Sequence, residues 1–132
     1  LTEKNQVWGN IRPKLTPYGR WDRVENPIVP GMPDVNGCVR GAEGWLEAKL
    51  GDREGTRPSK LVLDQVLWIE RQWLAGGKAW MLVLYERPKR VWCMYDDLGV
   101  RELWEEKPKP FPVLRAEGEF PTVEFLKVWT CR

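Results

Sequence analysis

Residues 44–50 read Gly-Trp-Leu-Glu-Ala-Lys-Leu. In a β-strand, side chains two apart share a face, so Glu47 and Lys49 emerge together while Leu46 and Ala48 point the other way. The stretch Pro33–Val39 reads as a second strand. Arg40-Gly41-Ala42-Glu43 between them suits an antiparallel hairpin. Such a hairpin puts Asp34 beside Glu47. Two carboxylates at that separation repel unless a cation lies between them, and a hard divalent ion such as Mg²⁺ or Mn²⁺ suits oxygen ligands. Lys49 then brings positive charge to a site where a phosphoryl transition state would gain negative charge.

Working outward, residues 2–15 read as an amphipathic helix with Thr2 as N-cap and Val7, Ile11 and Leu15 on one stripe. Arg20–Asn26 suggests a short strand, and Asn26–Pro33 is a Pro- and Gly-rich loop. Residues 51–60 are polar and rich in breakers, which predicts a mobile loop. Residues 62–75 carry Val62, Val66, Ile69 and Trp73 on one stripe and stop at Gly76-Gly77, a strong helix pattern. Ala79–Tyr85 is almost wholly apolar, as a strand buried on both faces should be. Val91–Tyr95 follows as its neighbour, and further helices are predicted over 97–106 and 121–129. The order implies an α/β fold with a mixed sheet of four or five strands flanked by helices.

Composition narrows the chemistry further. With 132 residues the chain suits one domain, 1–132, with a core over 1–96 and a C-terminal elaboration over 97–132. There is no histidine, which excludes imidazole-based nucleophilic triads and His-ligated zinc. Cys38, Cys93 and Cys131 form no CxxC pair and read as free thiols of a reducing, cytoplasmic setting. No apolar run is long enough for a membrane span. A formal charge of +2 is too small to argue for nucleic acid by itself, so any anionic partner must meet a local cluster. Two such clusters exist: Arg53, Arg57 and Lys60 after the Glu47–Lys49 strand, and Arg12, Lys14, Arg20 and Arg23 around the first helix. The nine tryptophans are mostly core by pattern. Trp68 differs because it shares a helix face with Gln65 and Gln72, and Trp8 and Trp21 could approach a nucleic acid or a subunit contact.

Pro33-Asp34 followed by Glu47-x-Lys49, then a helix bearing Gln65 and an apolar strand, resembles the PD-(D/E)xK nuclease superfamily. Within it, the order over residues 3–95 is similar to the VRR-NUC branch (virus-type replication-repair nucleases), in particular its stand-alone phage forms. The resemblance implies a restriction-endonuclease-like fold and metal-dependent phosphodiester hydrolysis. It also implies a homodimer acting on branched DNA such as Holliday junctions, in the bacterial host cytoplasm if the chain is viral. Asp34, Glu47 and the Ala48 carbonyl would hold Mg²⁺ or Mn²⁺, with Glu3 of the first helix as a further ligand. Lys49 would be the catalytic lysine, and Gln65 would orient the lysine, water or scissile phosphate. Arg53, Arg57, Lys60, Arg20 and Trp68 would contact DNA. Two other classes share these features: a nuclease-fold module that binds DNA without cutting, and a structural or assembly protein.

Overall fold

The computed structural model describes residues 4–25 and 28–131. The chain starts with a π-helical turn, Lys4–Trp8, that runs into α1 (Gly9–Leu15) and a 3-10 turn, Thr16–Tyr18. Thr2, the expected N-cap, lies outside the described residues. Val7, Ile11 and Leu15 are fully buried, as the spacing of four predicts. Six strands follow: β1 (Arg20–Arg23), β2 (Val35–Val39), β3 (Ala42–Arg53), β4 (Ala79–Arg87), β5 (Val91–Tyr95) and β6 (Leu114–Glu117). The remaining helices are α2 (Leu63–Leu74), α3 (Asp97–Trp104) and α4 (Thr122–Thr130).

The strands form one mixed sheet in the order β1-β2-β3-β4-β5-β6. Every neighbouring pair is antiparallel except β3–β4, which is parallel because α2 crosses over between them. The α/β class with a mixed sheet flanked by helices is therefore as expected. The strand count is six rather than four or five, because the four-residue edge strand β6 hides among prolines and glycines. Its only sequence signal is Leu114 and Ala116 alternating with Arg115 and Glu117.

The hairpin is tighter than its sequence suggests. Val39 pairs with Ala42, leaving Arg40-Gly41 as the whole turn, with φ of 50° and 81°. Two consecutive positive φ values make the type I′ geometry that matches strand twist. The predicted loop over 51–60 also begins late, at residue 54. Gly51 and Arg53 continue the parallel ladder opposite Tyr85 and Arg87. A Cβ at Gly51 would come within 2.5 Å of the Tyr85 ring, so glycine is what lets that ring lie flat on β3.

Helices cover both faces. On one, Leu46, Ala48, Trp80, Leu82 and Leu84 pack with α1 and α4. On the other, Met81, Val83 and Tyr85 pack with α2 and α3. All of Ala79–Tyr85 is buried, as a central strand covered on both sides must be. Trp8 and Trp21 belong to the first of these layers. Trp8 is 5% exposed and belongs to the core, whereas Trp21 is half-buried and lies 4.7 Å from Trp129 between ring centroids.

A bidentate pair ties α2 to α3: Arg101 Nε and Nη2 donate to Glu70 at 2.9 and 2.6 Å. The guanidinium holds the Glu70 carboxyl below its ordinary range. A lowered folded-state pKa stabilises above the unfolded pKa and is lost as pH falls through the folded one. Glu70→Gln should therefore cost roughly 1 kcal/mol at neutral pH, with water screening part of the pair. The difference from wild type should shrink as the pH is taken down from the ordinary glutamate range through the lowered pKa of the folded state. Urea titrations of both proteins at neutral pH and across that range measure it.

Candidate active site

Glu47 and Lys49 occupy the α2 face of β3, opposite Met81 and Val83 of β4. Their side chains are each 5% exposed, with Lys49 Nζ 3.8 Å from Glu47 Oε2. The ammonium also donates to the Lys60 carbonyl at 3.1 Å. Leu46 and Ala48 face the other layer, so the alternation predicted for this strand is the one found.

Asp34 stands one residue before β2. Continuing the ladder from Val35↔Leu46 puts it across from Glu47. Its carbonyl accepts the Val24 N–H at 2.6 Å, and its carboxylate, 45% exposed, lies 4.0 Å from Arg23 Nη2. In the sequence Arg23 is only one of several basic residues near the first helix. The register Arg23↔Val35 sets it next to Asp34, a consequence of strand pairing that linear spacing does not show. Its Nε is buried with no hydrogen-bond acceptor among the described residues.

The loop before Asp34 is held against α2. Gly31 has φ of 80°, and a Cβ there would come within 2.0 Å of the Asp64 carbonyl oxygen. Only glycine fits so close to the first turn of that helix. In sequence it looks like an ordinary loop residue; its role is to bring the Asp34 end of β2 under the start of α2.

Gln65 accepts the Val62 N–H on Oε1 at 3.1 Å, the reach-back half of a capping box. Lys49 and Gln65 thus hold opposite ends of the segment 60–62 that leads into α2. One turn on, Trp68 is half-buried and meets Trp45 edge-on at 5.6 Å, over the strand residue that precedes Glu47 on the same face.

The basic residues separate into groups. Arg53 and Lys60 are exposed, and no acidic side chain among the described residues forms an ion pair with either. Arg57 is engaged by α3: it donates to the Trp104 carbonyl at 2.9 Å and stacks 4.7 Å from the Trp104 ring. Arg20 pairs with Asp22 at 3.0 Å, at the end of β1 that lies beside Cys38. That is about 10 Å along the strand from Arg23.

Carboxylates and a backbone carbonyl are donors of the kind a hard divalent ion takes. Trp45 donates its N–H to the carbonyl of Lys78, the residue before β4, so odd residues of β3 point their backbone groups toward β4 and even ones toward β2. Pairing with β2 ends at Val35↔Leu46. The Ala48 carbonyl therefore faces the side that β2 no longer covers. Glu3, expected as a further ligand, lies outside the described residues, although the helical turn that starts at Lys4 packs on β3. Among the described residues no three acidic or cysteine side chains converge on one point.

Other reactive groups on this face are kept inert. Burial raises the Tyr85 and Tyr95 phenols above their ordinary values, and Tyr85 donates to the Thr56 carbonyl at 2.8 Å. Burial likewise pushes the Cys93 thiol up to about 11. Neither a phenolate nor a thiolate nucleophile is favoured there.

No helix among the described residues is long and apolar enough to cross a membrane. No protein-family model matches the chain, and no curated protein matches it in sequence. Among solved structures, it is similar to Hjc, a Holliday junction resolvase of Archaeoglobus fulgidus, with 16% identity and a TM-score of 0.43 over 69% of this chain and 72% of that one.

Proposed function

We propose that the chain is a Mg²⁺- or Mn²⁺-dependent DNA endonuclease of the PD-(D/E)xK type, VRR-NUC branch, formed by a single domain over 1–132 with its core in 1–96. It cuts branched DNA such as Holliday junctions, as a homodimer, in viral DNA replication, recombination or repair within the host cytoplasm. The branched substrate, the dimer and the setting come from the resemblance of the sequence motifs to that family.

The observation that carries the reading is the Glu47–Lys49 pair, buried to 5% beside Asp34. Removing two charges from water costs several kcal/mol for each ion, and apolar residues of like volume would pack there at least as well. Among the described residues Glu47 and Lys49 are the charged side chains that are buried, and a buried pair of this kind is a candidate functional signature.

Asp34, Glu47 and the Ala48 carbonyl hold the cation, with Glu3 as a further ligand. The bound ion supplies Lewis acidity and a water nucleophile at neutral pH. Lys49, fixed by the Lys60 carbonyl, carries positive charge where the attacked phosphate becomes more negative. Gln65 sets the start of α2 and thereby the height of that carbonyl above the strand. Arg23 orients Asp34. Arg53 and Lys60 neutralise neighbouring phosphates, and Trp68 shields the site from water.

The test is cleavage of duplex, flap, fork and four-way substrates with Mg²⁺, Mn²⁺ or EDTA, alongside Mn²⁺ titration of wild type and Asp34→Asn. Metal-dependent cutting of branched substrates, with Mn²⁺ binding weakened by at least tenfold in Asp34→Asn, is expected. DNA binding without cutting would identify a nuclease-fold module, and neither activity would identify a structural protein. Wild-type metal affinity in Asp34→Asn would remove Asp34 from the site.

A further inference from the structure

Beyond the carboxylates, the sequence Glu106-Lys-Pro-Lys-Pro110 borders a cleft whose other wall is the β3–α2 loop, residues 54–57. Two of its residues adopt a conformation that side chains disfavour. Glu106 has φ of 55° at the end of α3, where the Lys107 N–H returns to the Glu102 carbonyl at 3.0 Å. Glycine is the usual occupant of that position. Lys109 also has φ of 55°, immediately before Pro110, where the helical half of backbone space is disfavoured. Non-glycine residues in this region persist only where their surroundings over-determine them, and they cluster at functional positions.

The surroundings do so here. Arg57 reaches from the loop to the Trp104 carbonyl, stacks on the Trp104 ring and lies 3.8 Å from the Glu106 carboxylate. On the far side, the Phe111 N–H donates to Glu102 at 3.1 Å. The acidic groups of the cleft already have partners, since Glu54 is held by Arg115 and Glu106 by Arg57. Lys107 and Lys109 are exposed, and no acidic side chain among the described residues pairs with them. The result is two cations on a rigid turn, joined by Arg57 to the loop that leaves the Lys49 strand.

We propose that Lys107 and Lys109 form a second contact with the DNA backbone, neutralising phosphates of the duplex arm that flanks the cut; this rests on the nuclease reading above. The four residues from Lys49 to Arg53 span about 13 Å of strand, roughly four base pairs of duplex rise. A turn beyond that strand end meets phosphates outside the reacting step. Holding the lysines in place before binding lowers the ordering cost of the contact. Arg57 serves as the latch of this surface and not as a phosphate ligand.

The experiment measures the dissociation constant for a labelled duplex and a labelled four-way junction across a salt series in EDTA, so that cleavage plays no part. Removing two cations that each neutralise a phosphate should make the slope of log affinity against log salt shallower by about 1.8 on duplex. Lys107→Ala/Lys109→Ala is expected to show that change with an unaltered melting temperature. Lys127→Ala, on α4 across the sheet, is expected to keep the wild-type slope. A wild-type slope in the double variant overturns the proposal, as does an equal effect per charge in Lys127→Ala. Wild-type cleavage of branched DNA together with an unchanged slope removes only this surface. Absence of any salt-dependent DNA binding by the wild type removes the nuclease reading as well.

Discussion

A protein carrying Glu47→Leu and Lys49→Met together should melt at or above the wild-type temperature and cleave no branched DNA. Both side chains are 5% exposed and face Met81 and Val83 across the parallel ladder. Replacing a buried ion pair by apolar residues of similar volume is commonly neutral or stabilising, by about 1–4 kcal/mol. Lys49→Ala alone should slow cleavage by about 10²–10³-fold, the effect of removing one preorganised charge stabiliser, while branched-DNA binding persists. Its stability should fall, because Glu47 loses the ammonium 3.8 Å away. Thermal melts and single-turnover cleavage measure the two sides of this trade. A double variant that fails to fold would show that the pair is structural; one that folds and still cuts would dismiss the site assignment.

The second large effect is expected far from the site, at Trp129. This side chain is fully buried between Trp21 and Trp80, with ring centroids at 4.7 and 4.8 Å, and donates Nε1–H to the Ala42 carbonyl at 3.0 Å. Gly37 and Gly44 face each other across the β2–β3 ladder directly beneath it. A Cβ at either would stand 2.9 or 3.0 Å from the indole, so the glycine pair forms the flat floor on which Trp129 rests. Trp129→Ala should cost about 3–5 kcal/mol, a large part of a typical domain's roughly 5–15 kcal/mol. Urea denaturation reads this directly. A loss below about 1 kcal/mol, within the range of surface substitutions, would mean that α4 is not part of the core.

Much of the site is legible in the sequence because its residues follow local rules. Period-two alternation puts Glu47 and Lys49 on one face, and a short connection between two strand patterns puts Asp34 beside them. Other features depend on contacts between distant segments. Arg23 becomes the neighbour of Asp34 only through the β1–β2 register. Gly31 gains its role from the closeness of the Asp64 carbonyl. Arg57 looks like a phosphate contact by charge and is captured by the Trp104 ring 47 positions away. Gln65 reads as a helix-start residue and as a site residue at once, since it fixes the segment whose carbonyl receives Lys49.

The missing histidine and the Asp34, Glu47, Lys49 pattern were determined by sequence alone, because residue chemistry and strand periodicity are local properties. So were the α/β class, the buried central strand and the long α2, whose apolar patterns span many residues. Tertiary structure decided how far β3 extends, that β6 closes the sheet, which tryptophans form the core and which cations remain available to an anionic partner. Those outcomes rest on pairings across dozens of residues, where a basic side chain is claimed by whichever carboxylate, carbonyl or ring the fold brings near it.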